Sequence, residues 1–245
     1  VSKKSVKPQK SQGPFQAIIA VVALVGGAVL WQVTRPSAPQ AIAVDPTAPP
    51  ADVAGYVYGR PDAPITIAEY ADFECPGCGQ FAVLHAPDIK KRIVDAGMAK
   101  FVFYDFPLAM HPNAMAAHLA AACANEQGKF WDMHDRIFLA QPEWNTQATA
   151  NPKKVLAGLA EQAGADMAQW NDCFDNRRHL GTIEANRNAG IKLGVGSTPT
   201  LRIGDQLYPG GLTADQVKQV VDSLVAAMPA TVVPAAPGTG VAPTP

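Results

Sequence analysis

Apolar and polar positions alternate along "APITIAEYA", residues 63–71, with Ile65, Ile67 and Glu69 on one face and Thr66, Ala68 and Tyr70 on the other. Pro-containing segments bound the run, and a period of two with β-branched residues predicts a strand. A second strand is predicted in "KFVFYDF", residues 100–106, and between the two, residues 76–96 carry a helical pattern. Pro76 is tolerated in the first turn of that helix, where its missing N–H would have no intrahelical partner, whereas Pro87 is expected to kink or break it. From about 112 to 193 the period is again helical, with start signals at His111-Pro112 and Asn151-Pro152 and a stop at Gly164. Met115, Leu119, Ala122 and Cys123 share one face there, and Phe130, Met133, Ile137 and Phe138 another. Strands return in "TLRIG" and "QLYPG", joined through Asp205 as a hairpin. The last helix opens on the capping box Thr213-x-x-Gln216 and repeats Val217, Val220, Val221, Leu224, Val225 and Met228 at helical spacing. The order strand, helix, strand, helical insert, hairpin, helix predicts an α/β fold with no internal repeat.

The N-terminus departs from this pattern. Residues 15–33, "FQAIIAVVALVGGAVLWQV", carry no charge and follow Lys3, Lys4, Lys7 and Lys10. At about 1.5 Å per residue such a helix reaches roughly 28 Å, close to a bilayer's hydrocarbon thickness. This predicts one transmembrane anchor with Trp31 at the far interface, residues 1–14 cytoplasmic, and everything from about residue 35 outside. A cleaved signal peptide is the rival reading, with "AIA" at 41–43 as its cleavage site, but that site lies far beyond Trp31 and the run exceeds the usual apolar region. Under either reading the cysteines face an oxidising space. Residues 34–53 and 229–245 are rich in Pro and Ala without hydrophobic period, and are expected to be a tether and a disordered tail. The folded domain is then expected at 54–228, with the helical insert at about 110–193. In a chain of 245 residues, 48% of them hydrophobic, that is enough for one buried core. A net charge of −1, with basic residues scattered beyond the N-terminus, leaves no footprint for nucleic acid.

Candidate chemistry centres on "EYADFECPGCGQF", residues 69–81, where Cys75 and Cys78 stand at the junction of strand and helix. A helix N-terminus offers unpaired N–H groups and partial positive charge, which favour a thiolate at Cys75. Cys78, one turn on, is placed to pair with it or to resolve a mixed disulfide formed there. A zinc site usually brings a second close pair, whereas Cys123 and Cys173 stand apart, and a staple closing so short a loop would stabilise little. The redox dithiol is the favoured of the three readings. His85, His111, His118, His134 and His179 form no close ligand pair and are expected as surface or capping residues, so no metal and no cofactor is expected. Trp131 and Trp170 are expected in the core or lining a groove.

With "YADFECPGCGQF" followed downstream by "GVGSTPTLRIG", the chain resembles the thioredoxin superfamily, and within it the DsbA-like extracytoplasmic thiol:disulfide oxidoreductases. The stretch "HPNAMAAHLAAACANEQGKFWDMHDRIF" is similar to that family's helical insert, and the resemblance covers about 54–228. It implies a thioredoxin fold with a helical insertion between the second strand and the C-terminal hairpin. It also implies a cis-proline at Pro199, opposite the dithiol, with Thr198 offering main-chain hydrogen bonds to an extended substrate. Glu69, six residues before Cys75, matches the place where relatives keep an acid beneath the dithiol, and its position on the Ile65/Ile67 face suits partial burial. Asp72 and Glu74 flank the motif, where negative charge is expected to raise the pKa of Cys75. Strong oxidases of the family often carry a histidine where Gly77 stands, so a less oxidising pair is expected here.

In an oxidising compartment Cys123 and Cys173 are expected to form a second, structural disulfide pinning two insert helices; an electron relay and two unpaired core thiols are the alternatives. The activity implied is disulfide introduction into exported proteins by a membrane-anchored monomer, with reduced proteins as substrates and a quinone-linked membrane partner as reoxidant. The alternatives are a reductase or isomerase fed by a membrane electron donor, or a tethered peptide-binding module without turnover.

Overall fold

A computed structural model describes residues 13–34, 39–44 and 53–229, in two units that divide after Ala38. The first unit contributes one described helix, α1 (Gly13–Thr34), which exposes Val21, Val22, Leu24 and Val25. Among the described residues no helix is long and apolar enough to cross a membrane, so the anchor expected over 15–33 draws no support from the fold. The basic segment before Gly13, residues 35–38 and 45–52 of the expected tether, and the expected tail from 230 on lie outside the described residues.

The second unit is built on a six-stranded sheet in the order β1-β6-β5-β3-β4-β2. Its centre is β3 (Ile65–Ala71), parallel to β4 (Ala99–Asp105) and antiparallel to β5 (Thr200–Ile203), which continues the hairpin to β6 (Gln206–Pro209). The parallel pair needs a crossover, and the predicted helix supplies it in pieces: α2 (Pro76–Leu84), α3 (Ala86–Ile89) and a π-turn at Lys90–Val94. The break falls at His85, just before Pro87, which sits in the first turn of α3 where a missing N–H costs nothing. Two edge strands were not anticipated. β1 (Ile42–Ala43) lies within the expected tether and pairs with Leu207 and Gln206, while β2 (Tyr56–Tyr58) covers the other edge along Phe101–Phe103. Short strands of this kind blunt a sheet edge.

One sheet face buries Ile65, Ile67, Phe101, Leu201 and Ile203 beneath α2, α3 and α10 (Ala214–Ala227), whose capping box at Thr213 and Gln216 forms as expected. The opposite face buries Ala68 and Tyr70 with Phe106, Leu193 and Val195. There Gly190 of α9 (Leu180–Lys192) permits close packing, since a Cβ would stand 2.8 Å from the Phe106 ring. The insert comprises α4 (Ala114–Asn125), α5 (Phe130–Leu139), α6 (Gln141–Trp144), α7 (Lys153–Gln162), α8 (Met167–Asp175) and α9, with a core, continuous with Phe73, Phe103, Cys75 and Cys78, around Met133, Ile137, Trp144, Leu156 and Trp170. Each such side chain contributes roughly 1.5–3 kcal/mol on burial. These helices are short, so packing rather than propensity holds them.

Two of the five histidines depart from the surface expectation. His118 and His134 are fully buried, and each is tolerated because its Nδ1 meets an aspartate: Asp105 at 2.6 Å for His118 and Asp135 at 2.7 Å for His134. Asn186 of α9 donates to the other oxygen of Asp105 at 3.0 Å, so this network ties α4 and α9 to the end of β4. Trp170 is core, with its indole N–H on the Ala120 carbonyl, and half-buried Trp131 packs beside β2 with its own on Val57.

Candidate active site

Cys75 occupies the N-cap of α2 in extended conformation, and Pro76 fills the first helical position, where no N–H is needed. The N–H groups of Gly77 and Cys78 at the start of α2 favour a thiolate at Cys75. The opposite wall is the loop before β5, where the Thr198–Pro199 bond is cis and the Cys75 thiol reaches the Thr198 carbonyl at 3.5 Å. Cys75 keeps 9% of its surface exposed and Cys78 none. A hydrogen bond from the Cys78 thiol pulls Cys75 down to about 5 against the opposing cost of burial, and the N–H groups of Cys78 and Gly77 add to it. Burial, with the hydrogen bond and charge of Cys75 behind it, holds Cys78 well above the ordinary thiol range. The two sulfurs thus differ in kind: one an acidic, partly accessible nucleophile, the other a buried proton-holding thiol.

Asp72 and Glu74 do not act on Cys75 as expected. Asp72 accepts from the N–H groups of Glu74 at 2.7 Å and Leu108 at 2.8 Å, and its other contact is His111 Nδ1 at 2.8 Å. Glu74 accepts from the Asn113 N–H at 2.7 Å and from the N–H and hydroxyl of Thr146. Both carboxylates are spent on donors of the dithiol loop, the insert and the loop leading into it, so they fix the Cys75 loop rather than oppose its thiolate. The Asp72 N–H also points at the Cys78 sulfur, at 3.5 Å.

Glu69 lies beneath the dithiol on β3, between Phe103 and Leu201 of the flanking strands. It is wholly buried, and neither carboxyl oxygen has a hydrogen-bond partner among the described residues. Burial raises it from its ordinary value of 4.5 to about 8, with the Lys90 charge opposing. Such an acid keeps its proton in the fold while losing it in the unfolded chain, so it erodes stability increasingly as pH climbs from about 4.5 to about 8. Glu69→Gln is therefore expected to stabilise the reduced protein more near pH 8 than near pH 5. Urea melts at the two pH values check this, and an equal gain at both would contradict the neutral-acid state.

Gly77 faces the same wall, and a Cβ there would meet Pro199 Cδ at 3.4 Å and the Cys75 sulfur at 3.8 Å, ordinary contacts. Cys123 of α4 and Cys173 of α8 form a disulfide in the insert core. Glu126, Cys173 and His179 offer ligand atoms within 4.8 Å of one another, but the Cys173 sulfur is spent in that disulfide and Glu126 already pairs with His179 and Arg178. Sequence patterns missed the loop's anchors on the insert side. His111 was read only as a residue before a helix-starting proline, and nothing in the spacing marked Asn113, Thr146 or Gln141.

The family model described as Thioredoxin matches residues 51–223. The Na(+)/H(+) antiporter NhaA 3 of Salinispora tropica is 33% identical over 70% of this chain, and that stretch is 25% of the antiporter, so the chain spans about a quarter of the length of such relatives. Disulfide bond formation protein D of Bacillus subtilis is 27% identical over 68% of this chain and 75% of its own. Among solved structures, oxidised BdbD from Bacillus subtilis superposes with a TM-score of 0.62 at 22% identity, covering 76% of this chain and 98% of that one. At that identity the likeness is one of fold.

Proposed function

Because this chain belongs to the thioredoxin family, as a DsbA-like thiol:disulfide oxidoreductase, we propose that it introduces disulfides into exported proteins through Cys75 and Cys78. The observation that carries this reading is the asymmetry of the pair: Cys75, which keeps a little exposed surface at the helix start and is stabilised as thiolate, beside wholly buried Cys78, which is not. A stabilised Cys75 thiolate lowers the energy of the reduced enzyme and makes the disulfide form an acceptor of electrons.

In the proposed reaction a substrate thiolate attacks Cys75 of the Cys75–Cys78 disulfide, the S–S bond breaks, and Cys78 leaves as a thiolate. Neutral Glu69 is the nearby acid suited to return a proton to it. A second substrate thiol then loses its proton and attacks the substrate sulfur of the mixed disulfide, releasing Cys75 as a thiolate. Two electrons pass from substrate to enzyme. The Thr198–Pro199 edge offers main-chain groups on which an extended substrate segment can lie.

The substrates proposed are reduced, unfolded proteins outside the cytoplasm, and the oxidant that resets the pair is a quinone-linked membrane partner. Membrane anchoring through 15–33 rests on the charge-free run after four lysines, and extraction of the full chain from membranes by carbonate would count against it. The oxidase reading is tested by mixing the oxidised protein with a reduced two-thiol peptide: stoichiometric peptide disulfide is expected, and its absence overturns the reading. With glycine at 77, redox titration is expected to give a potential below about −120 mV, the value of the strongest oxidases. Gly77→His should raise it.

A further inference from the structure

Gln141 begins α6, in the insert, and its side chain crosses to the dithiol loop. Its amide Nε2 donates to the Phe73 carbonyl at 2.7 Å and to the Cys75 carbonyl at 3.0 Å. These carbonyls belong to the peptide planes on either side of Glu74 and Cys75, so one side chain holds both. Phe73 is wholly buried, and its carbonyl would otherwise lack compensation for lost water. The reach is possible because of a second residue. Gly79, buried one turn into α2, leaves the space the amide occupies: a Cβ there would stand 3.1 Å from Gln141 Oε1 and 3.3 Å from Nε2. Glycine inside a helix costs about 0.5–1 kcal/mol relative to alanine. A compensating reason is on hand in the amide it admits.

We propose that Gln141 and Gly79 act together as a positioning pair, the insert's amide holding the Cys75 main chain in the orientation from which its sulfur meets Cys78 and the Gly77 and Cys78 N–H groups. The Cys75 carbonyl also accepts the Gly79 N–H at 3.1 Å, so the same carbonyl links the clamp to the first turn of α2. Without the amide, the buried Phe73 carbonyl loses its donor, the Cys75 carbonyl keeps only the Gly79 N–H, and the peptide planes are freer to turn. A Cys75 main chain that turns carries its sulfur away from the groups that stabilise its thiolate. The insert thereby acts on the redox pair through its main chain and touches neither sulfur with this side chain.

The inference rests on the dithiol reading above, and the test separates the two. Ultraviolet thiolate absorbance is titrated in the full chain, with Cys75 and Cys78 reduced and the Cys123–Cys173 bond intact. Gln141→Ala is expected to raise the Cys75 midpoint by about one unit, a tenfold loss of thiolate preference. Its equilibrium with glutathione should move in step, by up to tenfold or about 30 mV toward the more reducing side. Gly79→Ala, which crowds the amide without removing it, should move both in the same direction. Combining the two should add nothing to Gln141→Ala alone, because the alanine methyl then meets empty space. Additive effects, or a Gln141→Ala protein that melts earlier but titrates like the unaltered one, would reduce Gln141 to a packing residue and overturn the proposal. If the unaltered protein itself titrates in the ordinary thiol range, it is the dithiol reading that fails.

Discussion

Cys78→Ala is expected to abolish turnover while leaving a protein that still couples to disulfide-containing partners through Cys75. Cys75 keeps some exposed surface at the helix start, whereas fully buried Cys78 is the internal thiol that can reclaim Cys75 from a mixed disulfide. Removing it leaves mixed disulfides with no internal thiol to resolve them, so they should accumulate as covalent adducts visible by mass spectrometry without reductant. Cys75→Ala should give none. The same substitution carries a second consequence, because the Cys78 thiol is the foremost stabiliser of the Cys75 thiolate. In Cys78→Ala the Cys75 midpoint should rise from about 5. Adducts that form equally on Cys75→Ala, or an unchanged Cys75 titration, would contradict the division of roles.

The other large effect concerns the insert. The Cys123–Cys173 bond joins α4 to α8 across a separation of 50 residues, and closing a loop of that length restricts the unfolded chain by about 4 kcal/mol. Both sulfurs are buried in the apolar core with Trp170 and Met133, so the bond is shielded from exchange with solvent thiols. Cys123→Ala/Cys173→Ala is expected to lose most of that stability in denaturant melts, with little change in the redox potential of Cys75 and Cys78. A potential that moved substantially would instead favour an electron relay between the two pairs.

The elements that follow from local pattern were legible. Alternation marked β3, the aromatic run marked β4, and the Thr213 capping box placed the start of α10, each because a short window contains its own cause. The edge strands were not. Ile42–Ala43 and Tyr56–Tyr58 are too short to show a period, and they exist because β6 and β4 offer open edges. The dithiol and Pro199 could be located from motifs, and the burial of Glu69 from the faces of one strand. The acids at 72 and 74 were misread for a physical reason: charge near a sulfur looks repulsive in a sequence, and only the fold shows His111, Asn113 and Thr146 arriving to satisfy it. His118 was misplaced likewise, since an aspartate 13 residues away becomes its neighbour only once α4 packs on β4.

The central claim is that this dithiol works as an oxidant, and the redox state of Cys75 and Cys78 in the living cell tests it most directly. Acid quenching followed by thiol alkylation traps that state before exchange can alter it. The account predicts that most of the protein carries the Cys75–Cys78 disulfide; a pool held mostly as the dithiol would contradict it and mark the protein as a reductase or isomerase.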